Sequence, residues 1–138
     1  MKRFLILLIL CTITLNIIAC NEGIHLLSSI KQKVVQGVES AKPYTQYSFE
    51  IMRFNDTDIQ IDSVIIFNKD RCVKVNHSTY DDKLLGSIML HASLHEGNYT
   101  VLENCKGSSE KVVIHYKVNN RSGKLKVSTF EKETVTRR

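Results

Sequence analysis

The segment VVIHYKVNNRSGKLKVST, residues 112–129, decides the fold class because it carries two strand patterns joined by a turn. Its first half places four apolar or aromatic side chains on one strand face: Val112, Ile114, Tyr116 and Val118. Leu125, Val127 and Thr129 repeat the same period of two. The residues between them, 119–123, are typical of a turn. The segment therefore predicts a β-hairpin with a five-residue turn.

The same alternation extends upstream and predicts further strands. In residues 45–51, aromatic and apolar side chains alternate with polar ones, which is typical of a half-buried strand. Apolar runs predict strands over 59–67 and 72–76 as well. Residues 84–94 alternate like a strand, although Asp81 or Asp82 would also suit the cap of a helix. We favour a strand for this segment.

The residues that precede this first strand, 23–41, have a different period. Apolar residues recur at steps of three and four, at Ile24, Leu27, Ile30, Val34 and Val38. This spacing predicts an amphipathic helix over 23–41, ended by Pro43. We therefore expect an α+β fold that is mainly antiparallel β. One N-terminal helix precedes six or seven short strands, arranged as a sheet packed on the helix or as a sandwich. The charged residues 131–138 are expected to fray.

The first twenty residues have the layout of a secretory signal peptide. Lys2 and Arg3 precede an apolar run, and polar residues begin at Asn21. We expect a signal peptide over 1–20 and a single β-rich extracellular domain over 21–138. Removal of the two basic residues lowers the net charge from +5 to +3, which does not indicate a nucleic-acid partner. No second apolar run is long enough to predict a membrane span.

The cysteines allow two interpretations of the exported chain. Cys72 and Cys105 lie beyond the signal peptide and most simply form one disulfide in an oxidising compartment. Cys20 follows Ile17-Ile18-Ala19, a loose form of the bacterial lipobox in which the cysteine sulfur is acylated. A lipid-anchored protein of a bacterial envelope is therefore one alternative. Cleavage before or after Cys20 stays open.

Four Asn-x-Ser/Thr sequons favour the other interpretation, a secreted glycoprotein of eukaryotic or viral origin. They begin at Asn55, Asn76, Asn98 and Asn120. Each is a potential glycan acceptor in a chain that passes through the endoplasmic reticulum. Which of them are occupied is left open.

No residue pattern in the chain indicates catalysis or a bound cofactor. His91 and His95 would share one face of a helix and suit zinc there, but on a strand they lie about 13 Å apart, too far to bind one ion. Neither a Gly-x-Ser-x-Gly motif nor a glycine-rich phosphate loop is present. Asp81 and Asp82 suit a turn or cap better than a catalytic pair. We expect a protein that is not an enzyme and that uses neither a metal nor another cofactor.

One short segment resembles a known family. Lys33-Val34-Val35-Gln36-Gly37, with the alternating strand that follows, resembles the Gln-Val-Val-x-Gly hairpin of the cystatins. Those inhibitors insert this hairpin loop into the clefts of cysteine proteases. The resemblance covers about 20 residues. It implies that Val34, Val35, Gln36 and Gly37 form an inhibitory segment on an exposed hairpin, whereas the helical period places them on a helix.

Together these patterns predict a small secreted, N-glycosylated binding protein. Its partner would be an extracellular protein or a cell-surface molecule, recognised through strand faces or through loops such as 76–83 and 104–110. A protease inhibitor and a bacterial lipoprotein are the alternatives. The sequence leaves open the identity of the partner, the source and the oligomeric state.

Overall fold

A computed structural model describes residues 24–38, 40–54 and 57–137 of the chain. Three sequence predictions lie outside the described residues: the signal peptide over 1–20, acylation at Cys20 and glycosylation at Asn55.

All regular secondary structure in the described residues is β-strand. The ten strands are β1 (Ile24–Gln36), β2 (Tyr44–Arg53), β3 (Ile59–Phe67), β4 (Cys72–Val75), β5 (His77–Asp82), β6 (Ser87–Leu94), β7 (Tyr99–Val101), β8 (Lys111–Val118), β9 (Arg121–Val127) and β10 (Glu131–Arg137).

The strands form two five-stranded sheets. The first sheet has the order β10-β1-β2-β6-β5, and the second has the order β7-β4-β3-β8-β9. Strands β1 and β10 pair in parallel, whereas the other neighbours pair antiparallel. The order β1-β2-β6-β5 in one sheet and β3-β8-β9 in the other is that of immunoglobulin-type Greek-key sandwiches. Many unrelated functions use this architecture, so it identifies no activity.

The core lies between the two sheets and is built by alternation along the strands. Side chains from both sheets form one buried cluster: Tyr47, Phe49, Ile51, Val64, Ile66, Val73, Val75, Leu90, Ala92, Val112, Ile114 and Val127. Successive residues of a strand point to opposite faces, so the strands that build this cluster, β2, β3, β4, β6, β8 and β9, contribute alternate side chains to it. The other residues of each strand face away from it.

The prediction of an N-terminal helix is wrong, and the fold is all-β rather than α+β. Residues 24–36 form β1, which pairs with β2 on one side and with β10 on the other. Of the apolar residues that fit a helical period, Leu27 and Val38 are 43% and 65% exposed, while Val34 is fully buried. Pairing with the neighbouring strand β2 and with the distant strand β10 therefore overrides the local period. Ten strands replace the expected six or seven.

The C-terminal residues are also ordered differently from the prediction. Glu131–Arg137, which we expected to fray, forms the edge strand β10. Gln32 Nε2 donates a hydrogen bond of 2.9 Å to Glu133, and the Gly37 N–H donates one of 2.7 Å to the Arg137 carbonyl. Just before β10, the ring of Phe130 packs edge-on against Tyr47, with 5.4 Å between ring centroids.

The hairpin prediction is confirmed, with a shorter turn. Strands β8 and β9 pair, and Val118 lies opposite Arg121. The connection is therefore the two residues Asn119 and Asn120, with φ of 48° and 64°. Both lie in the left-handed region, as a two-residue type I′ turn requires, and asparagine tolerates this conformation well.

The other predicted strands are present with small changes in their ends. Residues 45–51, 59–67 and 72–76 correspond to β2, β3 and β4. The preference for a strand over 84–94 is confirmed by β6, but Leu84 lies in the preceding turn and is 99% exposed. Asp82 shapes this turn, since its Oδ1 accepts hydrogen bonds of 3.0 and 3.1 Å from the N–H groups of residues 84 and 85.

Gly107 marks a close approach between two loops. A Cβ atom added at this position would overlap the carbonyl of Lys69, and the adjacent Ser108 N–H donates a 2.9 Å hydrogen bond to the Asn68 carbonyl. We expect Gly107→Ala to lower the free energy of unfolding by about 1–3 kcal/mol, because the backbone must shift to make room. Urea denaturation would measure this loss.

Lys106→Ala is the matched control, since Lys106 is exposed and lies next to Gly107. We expect this variant to unfold within about 0.5 kcal/mol of the parent protein. Equal unfolding midpoints for the two variants would contradict the close approach.

Candidate functional site

The outer face of the second sheet collects basic side chains, and we call it the basic face. Its basic members are Lys74, Lys111, His115, Lys117, Lys124 and Lys126. Strand register brings them together: Lys124 lies opposite His115, and Lys126 lies opposite Val113. Ile65 lies between Val113 on β8 and Lys74 on β4. Since directly opposed residues share a face, all six side chains point away from the core.

Charge is distributed unevenly between the two sheets. The strands of the second sheet carry six lysines and arginines but only one acidic residue, Asp62. The strands of the first sheet carry five basic and five acidic residues. The strands of the second sheet therefore have a formal net charge of +5, and the strands of the first sheet have a net charge of zero. A single-signed surface of this kind attracts ligands of the opposite sign.

The floor of the basic face is partly apolar. Ile65 and Val113 are half-buried at its centre, and Lys74, Lys124 and Lys126 are exposed around them. Lysine stems can cover such side chains while the ammonium groups stay in water. The ammonium nitrogen of Lys111 lies 4.7 Å from the centroid of the Phe67 ring, and Lys117 lies 3.6 Å from the carboxylate of Asp62. At the ends of the face, Lys111 therefore covers the Phe67 ring, and Asp62 partly neutralises the charge of Lys117. The centre of the face is neither covered nor neutralised in this way.

Sequence reasoning missed this face. The period of two that predicts the hairpin also puts His115 on its polar face, as in the structure, but the net charge of +3 gave no indication of a binding surface. The spacing of Lys124 and Lys126 was a visible signal, because residues two apart share a strand face. Lys74 could not be added from sequence, since its position depends on the pairing of β4 with β3.

A polar cluster connects the first sheet to the loop that precedes β8. Glu110 Oε1 accepts hydrogen bonds from the ammonium of Lys31 on β1 and, at 2.8 Å, from the hydroxyl of Tyr47 on β2. Burial acts to raise the pKa of Glu110, but the hydrogen bonds from Lys31 and Tyr47 and the charges of Lys31 and Lys132 lower it overall. Burial and the Glu110 carboxylate both raise the pKa of Tyr47. The cluster thus favours a charged Glu110.

The lowered pKa of Glu110 predicts a loss of stability in acid. Its carboxylate stabilises the fold above the unfolded pKa of about 4.3, and this contribution disappears as the pH falls through the folded pKa. We expect Glu110→Gln to remove this part of the pH dependence. At pH 7 it should cost about 1 kcal/mol or less, because Glu110 is only partly buried. Urea denaturation from pH 7 to pH 3 would measure both effects.

Tyr47→Phe is the control, because it removes one hydrogen bond and leaves the carboxylate charge in place. Because that hydrogen bond also lowers the pKa of Glu110, the loss of stability in acid should be smaller than in the parent protein but larger than in Glu110→Gln. Parallel curves for Glu110→Gln and the parent would contradict the assignment.

The predicted disulfide between Cys72 and Cys105 is confirmed. It joins the buried first residue of β4 to the loop between β7 and β8, with 6.0 Å between the two Cα atoms. The Leu102 N–H donates a 3.0 Å hydrogen bond to the Cys72 carbonyl beside it. This loop includes 104–110, one of the two loops proposed for recognition. The other, 76–83, is largely the strand β5 rather than a loop.

Replacing both cysteines tests the contribution of the disulfide. It closes a loop of 33 residues, and the chain-entropy model values such a loop at about 3–4 kcal/mol. We expect Cys72→Ala/Cys105→Ala to unfold at a correspondingly lower urea concentration. Reduction of the parent protein should add two hydrogens to its mass, and an unchanged mass would contradict the bond.

The two histidines considered for zinc have other contacts. His91 Nδ1 lies 2.9 Å from Ser48 Oγ, and His95 Nδ1 lies 3.1 Å from the Glu96 carbonyl oxygen. The ring of His95 also contacts Tyr44 edge-on, with centroids 5.6 Å apart. Within the described part of the chain, no three His, Cys, Asp or Glu side chains are grouped to hold a metal ion.

The segment that resembles the cystatin hairpin lies at the end of β1. Val34, Val35 and Gln36 are strand residues between β2 and β10, rather than the helix residues that the period indicated. Val34 is fully buried, whereas Gln36 and Gly37 are exposed. Protease inhibition by this hairpin stays a prediction.

Three sequons lie within the described residues. Asn76 is exposed between β4 and β5, and Asn120 is exposed in the β8–β9 turn. Asn98 is half-buried, and its side-chain Nδ2 donates a 2.6 Å hydrogen bond to the Ser93 carbonyl. The exposed side chains of Asn76 and Asn120 have room for a glycan, whereas the side chain of Asn98 is held by its hydrogen bond to Ser93.

Comparison with known proteins adds no relative: no protein-family model, curated protein or solved structure matches this chain. Within the described residues, no helix has the length and apolar character needed to cross a membrane.

Proposed function

We propose that this protein is a secreted, N-glycosylated binding protein that holds an extracellular macromolecular partner on its basic face. The observation that carries the proposal is the collection of five lysines and one histidine on the outer face of the second sheet. These side chains come from three different strands of that sheet, and their register places them on one surface. Such a surface raises the local concentration of an anionic partner and speeds its association.

Three further features support export. A disulfide that starts at a buried residue and closes a long loop is typical of proteins that mature in an oxidising compartment. Two of the sequons, at Asn76 and Asn120, lie at exposed positions in the connections β4–β5 and β8–β9. Many cell-surface domains also use a sandwich of this architecture.

The placement of the sequons predicts which ones carry glycans. We expect the protein secreted from cultured eukaryotic cells to lose one glycan with Asn76→Gln and one with Asn120→Gln. Asn98→Gln should change the mass only by the substitution itself, because Nδ2 of Asn98 is held by Ser93. Intact mass before and after enzymatic removal of N-glycans would measure this.

An unmodified mass would contradict N-glycosylation of the secreted protein. Acyl chains on Cys20 of the protein purified from its native source would instead support the bacterial lipoprotein. Loss of a glycan with Asn98→Gln would contradict the assignment of that side chain to the folded turn.

Binding to intact cells tests the role of the basic face. We expect labelled secreted protein to bind cell surfaces, and Lys124→Gln/Lys126→Gln to lower the bound fraction several-fold at physiological salt. Lys33→Gln/Lys83→Gln is the matched control, because it removes the same charge from exposed positions outside the basic face. Equal binding by the two variants would contradict the proposal.

A further inference from the structure

We infer that the partner of the basic face is a linear, sulfated polysaccharide of the heparin type. This inference rests on the proposed function and adds the chemical class of the partner. Three observations support it: the cations on the face are lysines, their charges are spread along a strip, and the floor between them is apolar.

The cations that project from the basic face are lysines rather than arginines. Arginine presents a planar fork that matches carboxylates in pairs of hydrogen bonds, and it is enriched where proteins recognise one another. Lysine is a compact charge on a flexible stem, and it is depleted from protein interfaces. The one arginine on these strands, Arg121, adjoins the turn opposite Val118 and does not share the outward parity of the lysines. Five lysines on one face therefore suit a ligand whose negative charge is spread along a polymer.

The register spreads these charges over an extended strip. Lys124 and Lys126 are two residues apart, which separates their Cα atoms by about 6.7 Å along β9. Lys126 and Lys74 are separated by three steps between neighbouring strands, through Val113 and Ile65. Three steps amount to about 14 Å. A linear chain that carries several sulfates and carboxylates along its length would meet cations at intervals across this strip.

The floor of the face is shallow and offers few anchors for a protein. Protein interfaces depend on a few large side chains, mostly Trp, Tyr and Arg, in desolvated pockets. The chain has no tryptophan, and the aromatic ring at the edge of this face, Phe67, is covered by the Lys111 ammonium. Ile65 and Val113 provide a low apolar floor between the lysines. This arrangement suits electrostatic capture of a polyanion along the surface.

Binding to immobilised heparin at a series of salt concentrations tests the inference. We expect the secreted protein to bind heparin and to lose affinity steeply as salt rises, since binding releases counterions from the polymer. Lys124→Gln/Lys126→Gln should lower the affinity at least ten-fold and reduce the slope of log affinity against log salt by about two. Desulfated heparin should bind at least ten-fold more weakly than heparin.

Two controls test whether the loss of heparin affinity is specific to the basic face. Lys33→Gln/Lys83→Gln should bind heparin within about two-fold of the parent, because its charge change lies outside the basic face. Circular dichroism and thermal unfolding of the Lys124→Gln/Lys126→Gln variant should match those of the parent, since both side chains are exposed on the strand β9. A similar loss of affinity in both double variants would overturn the inference.

The remaining outcomes separate this inference from the proposed function. Cell binding that survives enzymatic removal of sulfated chains, but not mild proteolysis, would identify an acidic protein partner. It would overturn the inference and leave the proposed function standing. Vesicles of anionic lipid or duplex DNA that bind as tightly as heparin would also overturn it. Absence of binding to both heparin and cells would overturn both.

Discussion

The space between the two sheets is the constraint on which the rest of the structure depends. Apolar side chains from eight of the ten described strands leave water in this one region, and successive residues of a strand point to opposite sides. Once Val112, Ile114 and Val127 face this space, the register of β8 and β9 sends the intervening residues outward. The alternation that builds the core therefore also gathers lysines on the opposite surface. The core and the basic face are two consequences of one pattern.

The N-terminal and C-terminal strands complete the first sheet together. Strand β1 has a neighbour on each side, so its backbone groups are paired with β2 and β10. Phe130 packs against Tyr47 and Phe49 beside this junction. The hydrogen bonds from Lys31 and Tyr47 to Glu110 then tie the loop after β7 to the same sheet. Together with the disulfide at Cys105, they hold this long connection in place, which positions the start of β8 and the basic side chains on it.

Much of the fold could be predicted where the local pattern and the tertiary structure agree. Strands with strict alternation in the sequence, such as β2 and the β8–β9 hairpin, were recognised because every second side chain is apolar or aromatic, and most of these side chains enter the core. The disulfide followed from the two cysteines that lie beyond the predicted signal peptide. The helix prediction was wrong because the apolar residues of 24–38 also fit a period near 3.6, and this period carries no information on the pairing of β1 with β2 and with the distant strand β10. The two-residue turn was missed because Gly123 was interpreted as a turn residue, although it lies in β9 opposite Tyr116.

The sequence by itself determined that this chain is rich in strands, that it has a hairpin at residues 111–127 and that two cysteines are available to pair. These properties depend on residues close together in the chain, or on a count. The tertiary structure alone decided that residues 24–36 form a strand, that the C-terminal residues close the first sheet, and that lysines from β4, β8 and β9 share one surface. Each of these depends on register between segments up to a hundred residues apart, which no local period encodes.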